Sequence, residues 1–193
     1  DFIMIICIFN ENYIISNEII SFKYEDFISI AQIGNLVSLN FNTYDQYLYV
    51  LKKFQKNDPK KLKSFEHEKT FYTNLKNINP FICRFFGFTQ NFESNIIIIE
   101  YIEGTTLEDF IKNEGKNLSK KDKLQIILGI MSALEYLYLN NYIYRDLKFD
   151  NILIDTKRNA ILIDFDQAKQ NDGTVMTTDI GSPLFVPRTI FNK

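Results

Sequence analysis

The eight residues Tyr144-Arg145-Asp146-Leu147-Lys148-Phe149-Asp150-Asn151 place a carboxylate, an ammonium and an amide at fixed offsets: Asp146, Lys148 and Asn151. Those groups suit phosphoryl transfer. The carboxylate orients or deprotonates an attacking hydroxyl, the cation neutralises charge gathering on the phosphate, and the amide oxygen completes a metal shell. Asp164, 13 residues after Asn151 in Ile-Leu-Ile-Asp-Phe-Asp, adds a second carboxylate placed to hold a metal. Asp and Asn often cap turns, but a turn does not also require Arg145, Lys148 and a later strand-end Asp.

The surrounding pattern must position these groups. Residues 1–26 are Ile-rich and read as one or two strands, with Phe2–Phe9 a buried one. Phe27–Ile33, the alternating Val37–Phe41 and Tyr47–Lys52 then form an antiparallel meander. Asn57-Asp58-Pro59 breaks it. Lys60 to Asn77 reads as a helix with Phe65, Glu68, Tyr72 and Leu75 on one face, ended by Asn79-Pro80. A carboxylate on an apolar face is costly unless paired, so Glu68 stands out, with Glu66 the competing assignment. Cys83–Phe88 and Ile96–Tyr101 are two further strands. Gly104 opens a linker and Leu107–Asn113 forms a short helix. Ser119 caps a long helix through Asn140, with Asp122 completing a capping box. Leu124, Ile127, Leu128, Met131, Leu134 and Tyr138 recur on that helix at helical spacing, and the stripe reads as core. Ile152–Ile154 and Ile161–Ile163 are short strands that leave Asp164 at a strand end.

At this point the motifs resemble a known family. Tyr144–Asn151 resembles the catalytic loop of eukaryotic protein kinases, His-Arg-Asp-Leu-x-x-x-Asn, with Tyr for His. Asp164-Phe165-Asp166 resembles their metal-binding Asp-Phe-Gly, with Asp for Gly. Tyr-Val-Leu-Lys, ending at Lys52, resembles the lysine-bearing third strand. Ile99-Glu100-Tyr101-Ile102 resembles the step into the hinge. Gly181-Ser182-Pro183-Leu184-Phe185-Val186-Pro187-Arg188 resembles the end of an activation segment, one residue short and with Arg188 for the final Glu. The likeness covers about Phe27 to Ile190. It implies an α+β, protein-kinase-like fold: residues 1–26 an extension, 27–102 an N-lobe with a five-stranded antiparallel sheet and one helix, and 103–193 a partial, mostly helical C-lobe.

The resemblance also implies roles. Asp146 is the catalytic base and Lys148, in the Ser/Thr-kinase position, the charge stabiliser. Asn151 and Asp164 hold Mg²⁺. Lys52, aimed by Glu68, meets the phosphates of ATP. Gly34, Val37, Val50 and Leu153 line the nucleotide, and backbone groups of Glu100 and Ile102 meet the adenine edge beside the gatekeeper Ile99. Tyr144 mainly packs, in a stack with Tyr72, Phe85 and Phe165. Thr178 matches a common phosphorylation position, and a phosphate there pairs with Arg145. Only Gly34 remains of the glycine-rich phosphate loop, and a plain turn glycine is an equal reading. Asp166 either binds metal or stiffens its loop.

Composition bounds the alternatives. Apolar residues make up 46 % and charged residues 24 % of 193, ordinary for a globular protein. A net charge of -2 supplies no basic field for nucleic acid. Cys7, Cys83 and the single His67 make no spaced metal set and fit a reducing, cytoplasmic compartment. No run approaches the roughly 18 apolar residues needed to span a membrane. The chain reads as truncated after the activation segment, leaving the 119–140 helix with an apolar face that a partner would cover. The expected activity is ATP- and Mg²⁺-dependent phosphorylation of a protein Ser or Thr. Two alternatives stay open: a non-catalytic pseudokinase, and a small-molecule kinase of the aminoglycoside or choline type.

Overall fold

The computed structural model describes residues 22–75 and 79–171. They form two compact units, one of residues 22–69 with Arg84–Tyr101, the other of residues 70–75, 79–83 and 102–171. Residues 70–75 and 79–83 group by contacts with the second unit. Residues 1–21 and the segment bearing Thr178, Gly181–Pro187 and Arg188 lie outside the described residues.

The first unit is built on an antiparallel sheet of β1 (Phe27–Gly34), β2 (Val37–Asn42), β3 (Leu48–Gln55), β4 (Phe85–Gln90) and β5 (Ser94–Glu100). The spatial order is β1-β2-β3-β5-β4, so the expected five strands are present. Edge strand β1 leaves Ile28, Ile30 and Ile33 exposed. Central strand β5 is buried on both faces, which is why it reads as an unbroken isoleucine run. Ile96 and Ile98 cluster with Tyr49, Leu51 and Phe22. Ile97 lies opposite Lys52, and Ile99 opposite Val50.

α1 (Pro59–Asn74) is the one inserted helix. Asp58 starts it: its Oδ1 accepts the Lys60 N–H at 2.8 Å, and Pro59 occupies the first position, where a missing N–H costs nothing. The helix ends at Asn74, three residues short of the expected Asn77.

The second unit contains β6 (Gly104–Thr106), α2 (Leu107–Glu114), α3 (Lys120–Leu139), β7 (Tyr142–Ile143), β8 (Ile152–Asp155), β9 (Ala160–Leu162) and β10 (Lys169–Gln170). The strands form a β6-β8-β9 sheet and a β7-β10 pair. The capping box at the start of α3 is present, with the Asp122 N–H donating to Ser119 Oγ at 3.1 Å and the Ser119 N–H to Asp122 Oδ2 at 3.1 Å. Asp122 Oδ2 also accepts from Arg158 at 2.6 Å, fastening the cap to the β8–β9 turn.

The reading of the α3 stripe as core is corrected. Leu124, Ile127, Leu128, Met131 and Tyr138 are each more than half exposed, and the buried face carries Ile126, Gly129, Ala133 and Leu137. That face wins because it is flat enough for close approach. A Cβ on Gly129 would lie 3.1 Å from the Phe81 ring and 3.2 Å from the Ala160 carbonyl oxygen. A larger residue does not fit at Gly129, and on the opposite side Leu124 and Leu128 border an open groove of about 530 Å³ with Phe81.

Candidate active site

The chemistry-bearing residues of the first unit sit on β2, β3 and α1. Lys52 points to the α1 side of β3, and its Nζ lies 2.8 Å from Glu68 Oε2. Glu68 is fully buried, one helical turn after Phe65, whose ring packs 5.6 Å from Phe54. The rival Glu66 is exposed and lies 3.8 Å from Lys69. Burial on the apolar face therefore selects Glu68, as the cost of an unpaired carboxylate there requires.

Strand register places the other expected residues. Val37 lies opposite Lys52, and Leu39 opposite Val50. Val37, Leu39, Val50 and Lys52 thus share one face of the sheet. Leu39 was not singled out from the sequence, because only the pairing shows how far along β2 the chain has travelled after its turn. That turn is tight: Gly34 pairs directly with Val37 across Asn35-Leu36. Gly34 has no left-handed φ, and a Cβ on it would meet nothing nearer than Val37 Cβ at 3.9 Å. Folding alone does not demand glycine there. The Glu100 N–H donates to the Arg84 carbonyl at 2.9 Å, while its carboxylate accepts the Arg84 N–H at 3.3 Å. Ile102 lies in the short segment between β5 and β6.

In the second unit the 144–151 loop gathers its polar groups around one carboxylate oxygen. Asp146 Oδ2 accepts from Lys148 Nζ at 2.8 Å and from Asn151 Nδ2 at 2.8 Å. Asn151 Nδ2 also reaches the Asp146 carbonyl at 3.1 Å. Asn151 is buried in a short 3₁₀ turn, Phe149–Asn151, that leads into β8. The bond to Asp146 holds the Lys148 amine above its ordinary pKa, so it stays a cation at neutral pH. Leu153 is half-buried and points away from the side on which Ile152 and Ile154 are buried.

Asp164 is fastened beside this loop through its neighbours. The Ile163 N–H donates to the Asn151 carbonyl at 3.0 Å, and the Tyr144 hydroxyl donates to the Ile163 carbonyl at 2.5 Å. Arg145 Nε donates to the Gln167 carbonyl at 2.7 Å. Arg145 and Asp164 both adopt left-handed backbone, φ 67° and 60°. Non-glycine residues hold that conformation only where surrounding contacts over-determine it, and such positions cluster at functional sites. Burial, then the negative charges of Asp164 and Asp146, push the Tyr144 phenol far above its usual pKa, with the Asn151 amide opposing.

Phe165 is fully buried among aromatic rings. It contacts Tyr72 at 5.6 Å and Tyr144 at 5.4 Å, and it stacks on Phe71 at 4.5 Å with the planes 13° apart. Three of the four expected stacking residues therefore meet, while Phe85 begins β4 in the first unit. Phe71 was missed, though adjacent aromatics on a helix turn different faces to their surroundings and both needed a partner. As to the metal, Asn151 commits its amide nitrogen to Asp146, leaving the carbonyl oxygen as its donor. That oxygen and the Asp164 carboxylate are hard ligands of the type Mg²⁺ takes while retaining waters.

This arrangement, on a five-stranded sheet with one helix followed by a helix-bearing second unit, defines a protein-kinase-like domain. Residues 32–192 match the family model described as protein kinase domain, and the chain belongs to that family. It is 35% identical over 108 residues to a probable serine/threonine-protein kinase KIN1 homolog of Encephalitozoon cuniculi, covering 55% of this chain and 19% of that protein. It is 30% identical over 118 residues to the SNF1-related protein kinase catalytic subunit alpha KIN12 of Arabidopsis thaliana, covering 60% and 24%. It is 29% identical over 147 residues to human NUAK family SNF1-like kinase 2, covering 75% and 23%. The chain spans about a fifth to a quarter of the length of these curated relatives.

Proposed function

We propose that this chain carries the catalytic part of a kinase that transfers the γ-phosphoryl group of ATP to a Ser or Thr hydroxyl of a protein, with Mg²⁺. The observation that carries the reading is the Asp146 carboxylate, held at one oxygen by both Lys148 and Asn151. With Oδ2 so engaged, Oδ1 is the oxygen for the incoming hydroxyl. That hydroxyl oxygen bonds to the γ-phosphorus, the bond from phosphorus to the bridging oxygen breaks, ADP leaves, and the proton passes to Asp146. Lys148 stands two residues from the base as a cation for the charge on the phosphoryl oxygens. Lys52, aimed by Glu68, meets the α- and β-phosphates. Val50, Leu39, Val37 and Leu153 supply apolar surface for the nucleotide, and the backbone of Glu100 and Ile102 its edge contacts. Asn151 and Asp164 would hold Mg²⁺, which would neutralise negative charge on the phosphate groups. Substrates are proteins rather than small alcohols on the strength of Arg145, Lys148 and the Gly181–Pro187 segment. The unpatterned Cys7 and Cys83 favour a cytoplasmic setting.

A thermal-shift titration of the full chain with ATP and Mg²⁺ tests the reading. The expected result is an upward shift that needs Mg²⁺ and is lost in Asp164→Asn. A chain that does not respond rejects catalysis. Transfer to a small alcohol but never to a Ser/Thr peptide would move the assignment to the small-molecule kinases.

The pseudokinase reading draws on one specific feature, a phosphate loop with Gly34 alone in a two-residue turn. Gly34→Ala tests whether that loop meets phosphate. Space for a Cβ is open, so Tm is expected to stay within about 2 °C. If backbone at Gly34 approaches phosphate, the added methyl crowds it and ATP affinity falls about fivefold or more, the usual cost of overpacking. Unchanged affinity would mean that Gly34 is only a turn residue.

A further inference from the structure

We propose that the exposed face of α3 is the seam of an antiparallel, two-fold pair with a second copy of this chain. The inference is independent of the kinase reading and needs no nucleotide.

Leu124, Ile127, Met131, Leu134 and Tyr138 follow one another at spacings of three, four, three and four residues, the a and d positions of successive heptads. All but Leu134 are more than half exposed, and Leu134 is partly so. An apolar stripe of that period is shaped for a facing helix.

The charges beside the stripe say which helix fits. Lys121 and Glu135 lie seven residues on either side of Leu128, along the same edge of the seam. Both are exposed, and neither makes an ion pair or hydrogen bond among the described residues. Each sits at the wrong end of its own helix: Lys121 is in the first turn, at the positive pole, and Glu135 is in the C-terminal part. A second copy laid end for end brings Lys121 to the partner's Glu135 and Glu135 to the partner's Lys121, with Leu128 facing its own counterpart. The same register sets Leu124 on the partner's Leu134 and Ile127 on the partner's Met131, so ion pairs and apolar layers form together. A parallel pair would instead set Glu135 against the partner's Ile130 and Lys123 against the partner's Leu128, with no ion pair. Every antiparallel contact is reciprocal, so the assembly closes at two chains. The open groove beside Leu124, Leu128 and Phe81 lies next to the two-fold axis and leaves room for the partner's Leu128.

Sedimentation equilibrium of the full chain tests this. The expected result is a reversible monomer–dimer equilibrium that reaches twice 22.8 kDa, with a Kd on the order of 10 µM, as suits a short seam. Leu128→Glu sets two carboxylates face to face at the axis and should raise Kd more than about tenfold, with Tm within about 3 °C because the position is exposed. Lys121→Glu or Glu135→Lys alone opposes like charges and should raise Kd about tenfold, while the two together restore it to within about twofold. Those reversals suit the helix dipole, so they keep the test open if Leu128→Glu does not fold. Growth beyond two chains, a Kd indifferent to Leu128→Glu, or a double reversal that stays dissociated overturns the inference. A wild type that stays monomeric well above that concentration overturns it too, and leaves the face to another segment or another protein.

Discussion

Asp146→Asn is expected to lower phosphoryl transfer to a Ser/Thr peptide about a thousandfold at saturating ATP, with KM for ATP changed less than about twofold. The substitution is nearly isosteric. Its amide oxygen can still accept from Lys148 and Asn151, which now bond the carboxylate at 2.8 Å each, so the loop should keep its shape. What is lost is the charge and the proton acceptor. A positioned base contributes on the order of a hundred- to ten-thousandfold to proton transfer, and the same residue holds Lys148 in place. Lys148 is not stranded by the change, because its side chain is 35% exposed and water can solvate it. The effect should therefore fall on turnover rather than on nucleotide binding, as expected for an interaction made in the transition state. Steady-state kinetics on purified chain decide it. A loss below about tenfold, or a parallel loss of ATP binding, would remove Asp146 from the role of base.

How much of this was legible in the sequence follows from how far apart the cooperating residues lie. Asp146, Lys148 and Asn151 cooperate within one loop, so their spacing nearly dictates that they meet. Glu68 was legible through burial: of two candidate acids, only one lies on the apolar face with Phe65 and Tyr72. Leu39 was not, because a tight turn at Asn35-Leu36 sets the β2 register, and the glycines that would have marked that turn are absent. The α3 stripe misled because size was taken for burial. Leu124, Ile127, Leu128 and Met131 lie on the exposed side, while Gly129 and Ala133 join Ile126 and Leu137 on the buried face, where Phe81 and Ala160 come within contact distance of Gly129. Small residues at helical spacing carry a packing signal that hydrophobicity ranking hides. The Tyr144 hydrogen bond was equally invisible, since its acceptor is a backbone carbonyl with no side-chain signature.

Lys52→Met is expected to be the most destabilising single change at the site, by about 3 kcal/mol or more, seen as a Tm lower by roughly 6 °C or more. The reason is asymmetric burial. Glu68 is 1% exposed and Lys52 18%, so removing the lysine leaves a charge that water cannot reach. Removing the acid leaves an ammonium that retains some solvent. Glu68→Gln should accordingly cost only about 1 kcal/mol, since the amide oxygen still accepts from Lys52. Both variants are expected to weaken the response to ATP, so stability and binding must be separated. The double variant Lys52→Met with Glu68→Leu does this: an apolar pair in place of a buried ion pair is often neutral or better for stability. Tm should return to within about 3 °C of wild type, while the shift on adding ATP and Mg²⁺ stays absent. Recovery of both would show that the pair serves the fold and leaves the nucleotide to other residues. Recovery of stability alone would assign the ammonium to phosphate and leave to Glu68 the work of aiming it.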